Sequence, residues 1–244
     1  MRTGAPLYIL PCVAQKNQRT PRGPHQLPPG RHGLSRSFVA RNQRQRILAA
    51  VAEATAARGY ARMSVEDVVR RAGVSRRTFY ELFTNKDQVF LEAYDQAANL
   101  LLAGVRAANE GESGFAERVA AGYRAFLESL EASPDFARMC IVEVMAAGPE
   151  AVAKRTAVMG EFAALMEETA AAELDSHGGV PAIHAETIVA GVYEAVYRMI
   201  AAGETDRLTT LLPDLVESAL LPYVGEEQAA AERRALQAAG APAK

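Results

Sequence analysis

Two adjacent arginines stand at the start of a short segment that reads Ser75, Arg76, Arg77, Thr78. Serine at this position is a common helix N-cap, because its side-chain oxygen accepts a hydrogen bond from an amide of the first turn. Arginine at the positive end of a helix dipole costs about 0.3 to 1 kcal/mol, so helix stability does not explain the pair. Guanidinium groups bind phosphates and bridge O6 and N7 of guanine. The spacing favours contact with DNA, the alternative being a solvated helix end with incidental charge.

Two further polar side chains near the arginine pair have the chemistry to hold phosphate groups. Tyr80 shares the outward face of the segment and carries a hydroxyl donor. Lys86 directly follows Asn85, which is predicted to cap the next helix. The free amides of a helix N-terminus together with an ammonium group make a seat for phosphate.

Three short helices are predicted to position these side chains. The first runs from Asn42 to a stop at Gly59, and the second begins after the N-cap Ser64 and stops at Gly73. The third begins after Ser75, so a turn of three residues separates the last two helices. A module of about 50 residues is small for independent stability, and we expect it to pack against the rest of the chain. The predicted inward face of the third helix is Phe79, Leu82 and Phe83.

Charge divides the chain into a basic and an acidic part. Residues 1–91 carry 16 Lys and Arg against 5 Asp and Glu, whereas the other 153 residues carry 11 against 24. This division is typical of a nucleic-acid-binding module joined to a body that does not touch phosphate. Residues 1–40 hold six of the 12 prolines and no acidic residue, which predicts a disordered basic extension. We divide the rest into a helix-turn-helix domain (41–91), a helical body (92–224) and a disordered tail (225–244).

The segment 64–87 resembles the helix-turn-helix of the tetracycline-repressor-like (TetR) transcription regulators. It carries Ala-Gly-Val-Ser, Thr-Phe-Tyr and Asn-Lys at the spacings of that family, and the resemblance extends over about 50 residues, from 41 to 91. The resemblance implies base contacts by Arg76 and Arg77, phosphate contacts by Thr78, Tyr80 and Lys86, and a DNA-backbone contact by Ser64 at the start of the second helix.

The resemblance implies an all-α protein with an N-terminal three-helix helix-turn-helix domain and a C-terminal helical domain for ligand binding and dimerisation. A homodimer would bind double-stranded DNA at a palindromic operator, most often as a repressor. Apolar stripes on the last two predicted helices are candidates for a four-helix seam between subunits, the alternative being that they fill the core of one subunit. These stripes are Ile188, Val192, Ala195, Val196 and Met199, and Leu212, Leu215, Val216, Ala219 and Leu220.

Soft and aromatic side chains are concentrated in the middle of the body, where they predict a cavity for a small-molecule inducer of unknown class. Methionine and phenylalanine at helical spacing are also typical of an ordinary core, so both interpretations remain open. The candidate ligand-binding residues are Phe115, Tyr123, Met139, Cys140, Phe162, Met166, Tyr193 and Tyr197.

Several classes of protein do not fit the sequence. It has no nucleophile elbow and no glycine-rich phosphate loop, so we expect no catalysis. No histidine or cysteine pair has the spacing of metal ligands, and we expect neither a metal nor a cofactor. No apolar run approaches the roughly 18 to 20 residues that span a bilayer. Cys12 and Cys140 lie too far apart in sequence for a clustered zinc site, and reduced thiols in the cytoplasm are expected.

A second hypothesis is a non-specific, architectural DNA-binding protein. Basic residues between positions 16 and 46, among them Arg41 and Arg44, would then enter a minor groove. The acidic body argues against this hypothesis, because it would be repelled by DNA wrapped around the protein.

Overall fold

A computed structural model of the chain describes residues 36–174 and 180–240. The described residues form α-helices joined by short turns and contain no strand, so the expectation of an all-α fold is confirmed. The helices are α1 (Arg36–Arg58), α2 (Val65–Ala72), α3 (Arg76–Leu82), α4 (Lys86–Glu110), α5 (Phe115–Ala132), α6 (Pro134–Ala137), α7 (Pro149–Glu173), α8 (Ile183–Ala202), α9 (Leu212–Val224) and α10 (Glu226–Gly240).

Helices α1, α2 and α3 pack around a small apolar core. Their inward residues recur at three- and four-residue steps, which place them on one face of each helix. Most of these inward residues are buried, and the start of α4 also packs against α1, while Leu82 is half-buried at the edge of the core. The main contributors to this core are Ile47, Val51, Val68, Phe79 and Phe83.

Helix α4 joins the small domain to the body. Its 25 residues extend over about 38 Å. Val89 and Phe90, in its first turns, are fully buried beside the core of α1 to α3, and Leu101 and Val105 are buried further along. A rigid helix shared by both cores allows a displacement in the body to reach the small domain.

The body is built from α4, α5, α7, α8 and α9. Proline stands in the first turn of α6, α7 and α9, at Pro134, Pro149 and Pro213, where a missing amide donor costs nothing. Between α6 and α7 the chain forms a π-helical turn (Arg138–Val142) and a 3-10 turn (Glu143–Ala146). None of the helices in 36–174 and 180–240 combines the length and the apolar character that a membrane crossing requires.

The apolar stripes of α8 and α9 lie mostly inside a single chain. Val196, Val216, Ala219 and Leu220 are fully buried without any second subunit. The alternative that these stripes fill the subunit core therefore applies to these residues. Ile188, Met199 and Leu215 are half-buried at the edge of that core.

The structure differs from the predicted domain boundaries at both ends. Helix α1 begins at Arg36, within the predicted disordered extension, whose residues 1–35 lie outside the described part of the chain. Most of the predicted disordered tail is helix α10, which packs against α9. Arg233 of α10 forms ion pairs with Asp214 at 2.8 Å and with Glu217 at 3.2 Å. An alanine-rich segment gains this order from a partner helix, which local sequence does not reveal.

A substitution in α10 tests whether residues 226–240 form an ordered helix or a disordered tail. Ala229 is fully buried against α9, and we expect Ala229→Leu to lower the free energy of unfolding by about 1 to 3 kcal/mol, because the added carbons have no room. Ala231 is exposed on the same helix, so Ala231→Leu serves as the matched control and should change little. Urea denaturation followed by circular dichroism measures both. Equal stabilities for the two variants would mean that the tail is frayed.

Candidate DNA-binding surface and candidate ligand cavity

The turn between α2 and α3 is held by backbone geometry and by two caps. Gly73 adopts a left-handed conformation (φ 60°), which ends α2 and lets the Val74 amide donate to the Val69 carbonyl at 3.2 Å. Ser75 is the N-cap of α3, and its side chain accepts a hydrogen bond from the Thr78 amide at 3.0 Å. These features fix the direction in which α3 leaves the domain.

Helix α3 turns its arginines and Tyr80 towards solvent. The side chains of Arg76 and Arg77 are 65% and 88% exposed, and Tyr80 is 52% exposed. Arg77 pairs with Glu81 at 2.9 Å, and Arg76 lies 3.9 Å from Glu66. Exposed ion pairs contribute only about 0 to 1 kcal/mol, so both guanidinium groups can exchange a carboxylate for a base or a phosphate.

Ser64 begins α2 through a reciprocal capping box with Asp67. The Ser64 hydroxyl accepts from the Asp67 amide at 3.2 Å, and the Asp67 carboxylate accepts from the Ser64 amide at 3.1 Å. Asp67 is buried, and the hydrogen bond from the Ser64 side chain lowers its pKa below the usual value. Its ionised form therefore stabilises the domain at neutral pH, and this contribution is lost as the pH falls through the acidic range.

Arg46 is a positioning residue that sequence reasoning missed. Its guanidinium donates to the carbonyl oxygens of Ala72 and Gly73, the latter at 3.0 Å, and so joins α1 to the C-terminal end of α2. A cation at that end interacts favourably with the helix dipole. Its distance of 26 residues from Ala72 left no local signal in the sequence.

Lys86 stands at the start of α4 and contacts Tyr60. Its ammonium group lies 4.5 Å from the centre of the Tyr60 ring and donates to the Tyr60 carbonyl at 3.3 Å. The Tyr60 hydroxyl in turn donates to Asp87. Two donors of the ammonium remain for a phosphate, so the predicted phosphate contact stays open, and Lys86 also ties α4 to the small domain.

Arg41 and Arg44 occupy different environments on α1. Arg41 is exposed. Arg44 forms a two-point ion pair with Glu92 of α4 and lies 4.6 Å from the centre of the Phe83 ring. These contacts give Arg44 a role in packing α1 on α4.

The body contains a cavity between α4, α5, α7 and α8. The empty space between its lining residues is about 1100 Å³ when the solvent in the open mouth is counted. Most of its wall is apolar. Five of the eight predicted ligand-binding residues line it, namely Tyr123, Cys140, Phe162, Met166 and Tyr193.

The structure does not bring the other three predicted residues to the cavity wall. Phe115 is buried against the ring of Tyr223, with centroids 5.1 Å apart. Met139 is fully buried in the core, one residue away from Cys140. Tyr197 stacks on the outer side of Tyr193, with ring centroids 6.5 Å apart. Neighbouring helical positions point in different directions, which composition alone does not resolve.

Four polar side chains that sequence reasoning did not single out also line the cavity. Asn109 donates to the Thr169 hydroxyl at 2.8 Å, and the Asn109 side-chain oxygen is a buried acceptor without a partner among the described residues. Arg118 pairs with Glu173 at 3.0 Å. Arg155 lies over the ring of Tyr193. A weak signal existed for Arg155, because it shares a helical face with Met159, Phe162 and Met166 at steps of four, three and four.

The segment Arg138–Ala146 contacts both the cavity and the small domain. Cys140 and Ile141 belong to the cavity wall, and the Ile141 carbonyl accepts a hydrogen bond from Tyr193. Two residues further on, the Glu143 carboxylate accepts a hydrogen bond from the Tyr60 amide at 2.8 Å. This path is short, and it leads from the cavity to the residues that seat Lys86.

Comparison with known families identifies the small domain. Residues 47–93 match the model of the bacterial regulatory proteins of the tetR family. A relative in Mycolicibacterium smegmatis, named HTH-type transcriptional activator FasR, is 29% identical over 89 residues. That match spans 36% of this chain and 41% of the relative. The resemblance inferred from 64–87 is confirmed.

Solved structures share the fold of about three quarters of the chain. The fatty acid degradation regulator FadR from Bacillus halodurans is 18% identical with a TM-score of 0.66, covering 76% of this chain and 96% of that one. FadR from Bacillus subtilis, solved in complex with stearoyl-CoA, is 18% identical with a TM-score of 0.65 over 74% and 97%. A TetR-like regulator from Rhodococcus sp. RHA1 is 20% identical with a TM-score of 0.59 over 77% and 98%.

Proposed function

We propose that the chain, whose residues 47–93 match the model of the bacterial regulatory proteins of the tetR family, is a ligand-responsive, sequence-specific transcriptional regulator. It binds a palindromic operator as a homodimer, acts as a repressor and releases DNA when a small molecule fills the cavity of the body. The observation that carries the proposal is the outward placement of Arg76, Arg77 and Tyr80 on a helix fixed by two caps.

Dimerisation explains how such a small domain gains affinity. Two domains on one rigid dimer double the phosphate contacts and fix the spacing of half-sites at about 10 base pairs or a multiple. Ile183 on α8 and Leu221 on α9 are 60% and 48% exposed, and these apolar side chains support an interface between two copies. The buried residues of the α8 and α9 stripes would then support that interface from the core of each subunit.

The route from ligand to DNA follows the segment Arg138–Ala146. An occupant that pushes on Cys140 or Ile141 would displace Glu143 and with it the Tyr60 amide. Tyr60 holds Lys86 and Asp87 at the start of α4, directly after α3. The proposal assigns no catalytic step to the chain, and the regulated function is binding.

Selection from random oligonucleotides tests the proposal. At about 0.15 M salt, we expect the purified protein to enrich one inverted repeat. Addition of an acyl-CoA is a first ligand trial, because the Bacillus subtilis relative was solved with stearoyl-CoA. A reporter gene behind the selected site then measures repression or activation, the latter being the activity named for the Mycolicibacterium relative. Failure to enrich any sequence would falsify the proposal and favour architectural binding.

The architectural alternative depends on basic residues near the N-terminus of α1. Arg44, one of the arginines placed in that arm, is engaged by Glu92. The sequence-specific function is therefore the better supported of the two.

A further inference from the structure

One basic side chain in the cavity wall lacks an acidic partner among the described residues. The Arg155 guanidinium lies 3.8 Å from the centre of the Tyr193 ring, and its Nε is buried without a hydrogen-bond acceptor. The other arginine of the wall differs. Arg118 pairs with Glu173 at 3.0 Å and donates to the Glu112 carbonyl at 3.1 Å.

The groups around Arg155 do not neutralise it. Burial raises the pKa of Cys140 to about 12, so it is a neutral thiol at physiological pH. Burial also raises the pKa of Tyr94 and of Tyr193, and Arg155 only partly opposes the rise at Tyr193. Asp95 of α4, which follows Tyr94 in the chain, is bound by Lys154 at 2.7 Å. Arg155 therefore presents a net positive charge to an apolar space.

The Arg155 side chain is half-buried, and a partly desolvated charge without a counter-ion carries a cost that a bound anion reduces. The planar guanidinium fork matches carboxylate and phosphate oxygens at two points. Asn109, at the other end of the cavity, offers an acceptor oxygen that would repel an anion. The charge of a ligand thus belongs beside Arg155.

The rest of the cavity suits a long apolar group. Along α7 the wall extends from Arg155 to Thr169, a rise of about 21 Å. Phe162, Leu165 and Met166 lie between these two positions on the wall. An extended apolar tail fits along this face with its head at Arg155.

We propose that the cavity binds an amphiphile with an anionic head group, a free fatty acid in the first instance, and that Arg155 pairs with its carboxylate. The proposal rests on the ligand-responsive function above and specifies the ligand class. It differs from a purely apolar ligand and from a thioester, because neither carries a charge at the head of its tail.

Calorimetry on the full chain tests the pairing without DNA. Dodecanoic acid, its methyl ester and dodecyl phosphate are titrated at a pH near 8, where the acid is ionised. We expect the acid to bind about 10- to 100-fold more tightly than the ester. Dodecyl phosphate distinguishes a preference for carboxylate from a preference for any anion. Equal affinity for acid and ester, or no binding of either, would overturn the proposal.

Variants show whether Arg155 is the source of the preference for the acid over the ester. Arg155→Met should reduce the ratio of acid to ester affinity to near one, and Arg155→Lys should retain part of it, because the charge remains and the two-point fork is lost. Arg124→Met, at an exposed arginine of α5 outside the cavity wall, is the matched control that should leave the ratio unchanged. An unchanged ratio in Arg155→Met would contradict the assignment. If that variant does not fold, the comparison of acid with ester on the unaltered protein still decides. Since no operator is used, failure here is separate from failure to select a DNA site.

Discussion

Replacement of Phe79 by alanine is expected to destabilise the helix-turn-helix by about 3 to 5 kcal/mol, enough to unfold a domain of this size. Phe79 is fully buried, and its ring lies 5.7 Å from that of Phe83 and 5.3 Å from that of Tyr80. Alanine would leave a cavity where α3 packs on α1 and α2. Operator binding should be lost with the fold.

Two comparisons separate packing from recognition. Phe79→Leu keeps most of the volume and should cost less than about 1.5 kcal/mol. Tyr80→Ala removes an exposed neighbour and should change stability by less than about 1 kcal/mol while weakening DNA binding. Urea denaturation gives the stabilities, and fluorescence anisotropy gives the affinities. A stable Phe79→Ala domain would show that α3 is held by contacts other than its buried ring.

Replacement of Arg76 by alanine is expected to cost about 1 to 3 kcal/mol of specific binding, a loss of roughly 5- to 150-fold. The guanidinium is exposed, and its nearest acidic partner, Glu66, is 3.9 Å away, so truncation leaves the fold intact. The loss should fall on one base position of each half-site. Affinity for random DNA should change little.

The measurement compares the selected operator, single-base variants of it and random duplexes at one salt concentration. Arg124→Ala serves as the control, because Arg124 is an exposed arginine on α5, in the body. Equal losses on operator and random DNA would reassign Arg76 from base reading to phosphate contact. A loss for Arg124→Ala would instead indicate a general effect of net charge.

Local chemistry made the DNA-binding domain predictable. Ser64, Ser75 and Asn85 each cap a helix as expected, because an N-cap is decided within three residues of sequence. The left-handed glycine at Gly73 is equally local. Periodicity then placed Phe79 and Phe83 inward, and the outward face followed from it.

Long-range contacts were not predictable in this way. Arg46 reaches Ala72 and Gly73 across the domain, and Arg233 reaches α9, so neither leaves a mark on its neighbours in sequence. The sequence predicted the region of the cavity, yet Met139 lies in the core and Cys140 in the cavity wall, because neighbouring residues of a helical turn point in different directions. Arg155 was missed because the lack of a counter-ion among the described residues depends on which side chains the fold brings near it, and the sequence does not show this.

The wide turn at Arg138–Val142 bonds each amide one residue further back than an α-helix does. The turn contains one residue more than an α-helical turn would. Removal of that residue would rotate the chain that follows it by about 100° about the helix axis. Glu143 would then lose the hydrogen bond that it accepts from the Tyr60 amide. In the proposed function, the register of this one turn therefore decides whether an occupied cavity affects the small domain. Deletion of one residue from the turn is expected to leave both parts folded and to abolish any effect of a ligand on DNA binding.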